Sequence, residues 1–158
     1  MNSVRPDAQA GKRFGIILTL LIGFTIATFF LTRPITTSSS LSPVSGLVML
    51  KATAKTAVPY AEAIANGKPT LVEFYADWCT TCQSMASTID SLHTQYGADL
   101  NIVMLNIDDP QWRSQVDAFR VGGVPEYFLL ASDQSLQDSF VGRVPYGILA
   151  QAIKTVIR

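Results

Sequence analysis

The run TLVEFYA, Thr70 to Ala76, leads within two residues into WCTTC, Trp78 to Cys82. A near-continuous apolar stretch of that length suits a strand covered on both faces. From Cys79 to Tyr96 the apolar residues Met85, Ile89, Leu92 and Tyr96 recur at helical spacing, and Gly97 follows as a stop. The chain therefore reads as a buried strand running directly into a helix, with two cysteines at the junction.

The flanking segments extend that alternation. Tyr60 to Ala65 reads as a short helix ending at Asn66-Gly67, and Leu100 to Ile107 as a second strand. Gln111 to Phe119 is a short helix with Trp112, Val116 and Phe119 on one side. Glu126 to Ala131 and Leu136 to Val141 are strands around a hairpin at Ser132-Asp133-Gln134. Pro145 stands where a helix can start, with Ile148, Leu149, Ala152, Ile153 and Val156 as its apolar stripe. The order α-β-α-β-α-β-β-α predicts an α/β domain, a central mixed sheet with helices on both faces.

A Cys-x-x-Cys pair at a strand–helix junction reads as a redox motif. Two intervening residues on a first helical turn bring both sulfurs within disulfide reach. Unpaired N–H groups at the helix start, with their partial positive charge, stabilise a thiolate on the first cysteine. Cys79 is thus the expected nucleophile, attacking a substrate disulfide, and Cys82 the residue that resolves the mixed disulfide. The competing readings are half of a zinc knuckle or an inert structural disulfide. Neither a second C-x-x-C nor a C-x-x-H accompanies the pair, and one histidine with two cysteines is a poor zinc set, so no metal and no cofactor is expected. His93 on the same helix reads as a solvated residue, and Trp112 carries no assigned role.

Glu73 lies in the middle of the apolar strand. If that strand is central, burial raises the carboxyl's pKa, and the group becomes a candidate acceptor for the proton of Cys82. If the strand is at an edge, Glu73 simply points to solvent.

The formal net charge is zero but unevenly spread. Before residue 36 there are four basic residues and one acid; from Leu47 onward there are eight basic residues against eleven acids. A mildly acidic domain without a Lys/Arg run excludes nucleic acid as an expected partner.

Phe14 to Leu31 is an uncharged run of eighteen residues. As a helix it would be ~27 Å long, close to the ~30 Å of a bilayer core. It is too long for an ordinary signal-peptide core and lacks a small-x-small cleavage site, so it reads as a retained anchor. Arg5, Lys12 and Arg13 precede it and Arg33 follows, which predicts a cytoplasmic N-terminus with the remainder across the membrane. The expected organisation is residues 1–13 cytoplasmic, 14–31 a single transmembrane helix, 32–57 a Ser/Thr-rich tether and lead-in, and 58–158 the globular domain.

VEFYADWCTTC, the NID of Asn106 to Asp108, GGVPEYFL with Val124-Pro125, and Val141-Gly142 together resemble the thioredoxin family over about residues 58–158. The resemblance implies a thioredoxin-like fold, a cis peptide bond before Pro125, and a redox-active disulfide between Cys79 and Cys82. It also implies substrate contact through Trp78, Val124 and Pro125, and an acid at the position of Glu73. With the anchor and the FYADWC and NIVMLNIDDPQW wording, the chain is similar to membrane-anchored thiol:disulfide interchange proteins of the TxlA type. That similarity implies a reductant of protein disulfides in a periplasm or thylakoid lumen, supplied with electrons by a membrane donor of the CcdA type and serving cytochrome maturation. Three positions depart from common thioredoxins. Thr80-Thr81 replaces Gly-Pro, Met104 stands where a lysine often faces the buried acid, and Glu126 follows the proline. A disulfide oxidase or isomerase of exported proteins, and a non-catalytic binding module, remain open beside the reductase.

Overall fold

The computed structural model describes residues 43–157. The apolar run 14–31, its flanking charges and the start of the tether lie outside the described residues. Among the described residues no helix is long and apolar enough to cross a membrane.

The sheet is built around β1, Thr70–Tyr75, whose six residues are all buried. Asn101–Asn106 forms β2, Glu126–Leu130 forms β3 and Leu136–Val141 forms β4, in the order β2-β1-β3-β4. β1 pairs parallel with β2 and antiparallel with β3, and β3 pairs antiparallel with β4. The sheet is therefore mixed, with β1 central, and the near-continuous apolar run of β1, broken by Glu73, follows from that position. β4 is an edge strand, and its residues are mostly exposed.

Among the described residues five helices cover the sheet: α1 (Pro43–Thr56), α2 (Tyr60–Ala63), α3 (Thr80–Tyr96), α4 (Arg113–Phe119, preceded by a 3-10 turn at Pro110–Trp112) and α5 (Tyr146–Val156). Strand alternation sorts the side chains into two cores. Leu71, Tyr75, Ile102, Met104, Tyr127 and Leu129 face one side and pack with Leu50, Met85, Ile89, Leu92, Leu149 and Ile153 of α1, α3 and α5. Val72, Phe74, Val103, Leu105, Phe128 and Leu130 face the other side, where Val116 and Phe119 of α4 close over them. There the rings of Phe74, Phe119 and Phe128 contact one another, with centroids 4.9–5.7 Å apart.

α1 falls in the stretch read from sequence as tether and lead-in. It is helical because tertiary packing rewards it. Leu50 is fully buried in the α3 side of the core, a contribution of about 1.5–3 kcal/mol. Gly46 allows close approach to α3, since a Cβ there would stand 3.0 Å from the Cβ of Gln83. The folded unit therefore includes the helix from Pro43 onward, ahead of the boundary expected at residue 58. Two further findings are local. Ile148, read as part of the α5 stripe, is 49% exposed, and Ala150 is buried in its stead beside Leu149 and Ile153. Gly97 is the C-cap of α3 as expected, and no side chain fits there: a Cβ would lie 2.6 Å from the His93 carbonyl oxygen.

Candidate functional site

β1 ends at Tyr75, and a short loop later α3 starts, so its first turn stands at the C-terminal edge of the central strand. Cys79 is the N-cap of α3. Its backbone is extended (φ −76°, ψ 105°), and its sulfur accepts a hydrogen bond from the Cys82 amide at 3.0 Å. Its own N–H donates to the Ala76 carbonyl at 3.1 Å, and its carbonyl accepts from Gln83 N–H at 3.0 Å. Cys79 and Cys82 are joined in a disulfide with Cα atoms 5.2 Å apart. Cys79 keeps 6% of its surface, Cys82 none. A thiol reaching this pair from outside meets Cys79 first.

The Val124–Pro125 peptide bond is cis, as the resemblance implied. The Val124 carbonyl oxygen lies 3.6 Å from Cys79 Sγ, a contact that can become a hydrogen bond once that sulfur carries a proton. Two hydrogen bonds hold this segment. The Gly142 N–H donates to the Pro125 carbonyl at 2.8 Å, and the Gly122 N–H donates to Glu126 Oε2 at 2.9 Å. Glu126, one of the departures from common thioredoxins, therefore ties down the loop ahead of Pro125.

Trp78 is 65% exposed beside the disulfide, and its indole Nε1–H donates to Asp108 Oδ2 at 2.9 Å. The preceding residue is braced from behind. Gln83 Nε2 donates to the Asp77 carbonyl at 2.7 Å, and Lys51 Nζ of α1 pairs with Asp77 Oδ2 at 2.9 Å. Sequence reasoning assigned no role to Asp108, Gln83, Asp77 or Lys51. Asp108 lies in the NID segment and could have been suspected there; the Lys51 contact depends on α1, which carried no sequence signal.

Glu73 is fully buried, so the edge-strand alternative does not hold. It points to the α3 side, in step with Leu71 and Tyr75 and on the same face as both cysteines. Burial pushes its carboxyl from 4.5 up to about 8, against a smaller opposing pull from the Tyr127 hydroxyl. The Tyr127 hydroxyl is raised as well, first by burial and then by the charge of Glu73. Tyr75 is raised by burial, then by Asp77, Glu73 and Asp109. Electrostatic reach between Glu73 and Tyr127 is not yet a well-formed hydrogen bond: both carboxylate oxygens and Tyr127 Oη are buried without a partner at bonding distance and angle. Met104 faces Glu73 from β2, so no cation takes the position where common thioredoxins often have a lysine. His93 sits in the last turn of α3, remote in sequence from the cysteines, and its carbonyl accepts from Gly97. Among the described residues no group of three His, Cys, Asp or Glu side chains converges as a metal site.

A mixed four-stranded sheet between helices, with a Cys-x-x-Cys disulfide capping a helix beside a cis-proline, defines the class of dithiol proteins built on the thioredoxin fold. The thioredoxin family model matches residues 50–155, well over half of the chain. The chain belongs to the thioredoxin family. It is 41% identical over 110 residues to the thiol:disulfide interchange protein TxlA homolog of Synechocystis, covering 70% of this chain and 61% of that protein. It is 44% identical over 100 residues to the chloroplastic thioredoxin-like protein HCF164 of Oryza sativa, covering 63% of this chain and 38% of that protein. The chain thus spans less than two thirds of the length of either relative. Among solved structures it is similar to a mutant thioredoxin from Halobacterium salinarum, with 27% identity and a TM-score of 0.55 over 61% of this chain and 81% of that one.

Proposed function

We propose that this protein is a membrane-anchored thiol–disulfide oxidoreductase that reduces protein disulfides on the non-cytoplasmic side of its membrane. The observation that carries the exchange chemistry is the Cys82 amide donating to Cys79 Sγ at the start of α3. A backbone donor and a helix N-terminus aimed at one sulfur favour its thiolate, the form that attacks disulfides. Relatives named thiol:disulfide interchange proteins support the same reading.

In the reducing direction, the Cys79 thiolate attacks a substrate disulfide and expels one substrate thiolate, forming a mixed disulfide. Cys82 then loses its proton to Glu73, attacks Cys79 Sγ, and expels the second substrate thiolate. The enzyme is left as the Cys79–Cys82 disulfide and the substrate as a dithiol. Trp78 and the Val124–Pro125 segment flank the sulfur, and the exposed backbone there suits strand-like pairing with a substrate peptide.

The anchor reading rests on the apolar run 14–31, and the orientation on the charges that flank it. A reductant on that side of a membrane must be recharged from the other, which is the reason for including a CcdA-type electron donor; cytochrome maturation enters through the likeness to TxlA-type proteins. The test is a Cys82→Ser trap in cells, with the captured partner identified, alongside the reduction potential of the purified protein. A value near ~−270 mV with trapped substrates supports a reductase, whereas a value near ~−120 mV makes it an oxidase. The absence of any trapped partner would leave only a binding module.

A further inference from the structure

The middle of the sheet carries one row of side chains across three strands: Met104 on β2, Glu73 on β1 and Tyr127 on β3. The row lies on the face that α3 covers, together with Cys79 and Cys82. Glu73 and Tyr127 are both completely buried, and three oxygens between them (Glu73 Oε1 and Oε2, Tyr127 Oη) lack a hydrogen-bond partner. Buried polar groups are ordinarily satisfied, so three orphans on directly opposed residues call for one explanation. Opposed residues of antiparallel strands stand about 5 Å apart at Cβ, within reach of a long side chain. A carboxylate only accepts, a tyrosine hydroxyl donates, and Met104 has no proton to give.

We propose that Tyr127 is a positioning residue for thiol exchange: its hydroxyl turns to donate to the Glu73 carboxylate when that group is ionised, holding ready the base that takes the Cys82 proton. The proposal rests on the reading of Glu73 as that base. In the step itself the S–H bond of Cys82 breaks and an O–H bond forms on Glu73. The electron pair stays on the sulfur, which then displaces the substrate from Cys79. Tyr127 keeps its proton throughout, consistent with the upward shift of its hydroxyl. Tyr75 on β1, and Cys79, Cys82 and Tyr96 on α3, are the other titratable groups in the core on this face; β2 contributes Met104, and α1 and α5 contribute the apolar Leu50, Leu149 and Ile153.

The test compares Tyr127→Phe, Glu73→Gln and the double variant of the full chain. Tyr127→Phe keeps the buried ring and its packing and removes only the hydroxyl, so the fold should tolerate it. Two readouts are taken: the pH–rate profile of single-turnover disulfide reduction, and the Glu73 carboxyl titration followed by carbon NMR. Loss of a charge-assisted hydrogen bond should move both midpoints upward by about one pH unit, a tenfold slower rate on the acid side. In the Glu73→Gln background the same substitution should change nothing. A Tyr127→Phe rate profile superimposable on the parent, with Glu73→Gln altering it, overturns the role of Tyr127 and leaves Glu73 as the base. A carboxyl shift without a rate shift overturns it too. A parent-like profile in Glu73→Gln removes the base, and the Tyr127 role falls with it.

Discussion

The backbone amide of Cys82 points at the sulfur of Cys79 from 3.0 Å. The contact is made by the second cysteine's main chain, so it survives replacement of that cysteine's side chain. In the reduced protein Cys79 should titrate well below the ~8.5 of a free cysteine. Iodoacetamide alkylation against pH should show Cys79 reacting first and the fully buried Cys82 scarcely at all. Cys82→Ser should retain a low midpoint for Cys79. A midpoint near ~8.5 in both proteins would refute the helix-start argument.

Glu73 links stability to pH. Its folded-state carboxyl titrates at about 8, against 4.5 when solvated. The folded state binds this proton more tightly, so its contribution is complete below pH 4.5 and is lost as pH rises through the window up to about 8. Urea unfolding of the oxidised protein should show stability falling across that window. Glu73→Gln should flatten the fall and be the more stable protein at its upper end, by about 3–5 kcal/mol. Parallel curves for the two proteins would contradict this account.

α1 should behave as part of the domain. Leu50→Ala removes a fully buried side chain and should lower stability by about 2–5 kcal/mol. Gly46→Ala sets two effects against each other: the new methyl stands 3.0 Å from the Cβ of Gln83, while Ala favours the helix by about 1 kcal/mol, so the net change should be smaller than that of Leu50→Ala. Thermal melts check both. If Leu50→Ala melts like the parent, α1 does not belong to the core.

The Lys51–Asp77 pair is expected to matter little to the fold. Both side chains are substantially exposed, at 55% and 40%. Lys51→Ala should change stability by less than ~1 kcal/mol, and by still less in high salt. A larger, salt-insensitive loss would mean that the aliphatic stem of Lys51, rather than its charge, supports the Asp77–Trp78 segment.

The sequence by itself determined the redox pair, the strand–helix junction that presents it and the alternation that builds a mixed sheet. These are features of short segments: Thr70–Tyr75 is mostly apolar, as suits a strand with both faces covered, and the two cysteines share one helical turn. The proline ahead of β3 was legible as a family feature. Tertiary structure alone decided the rest. Pro43–Thr56 is helical because Leu50 and Gly46 find α3 to pack against, and nothing within the segment announces that partner. Whether Glu73 was buried or at an edge depended on strand order, which a single strand cannot disclose. Tyr127 could not be singled out among the aromatic residues until antiparallel register set it opposite Glu73. Register is a relation between strands far apart in the chain, fixed by the packing of both faces at once.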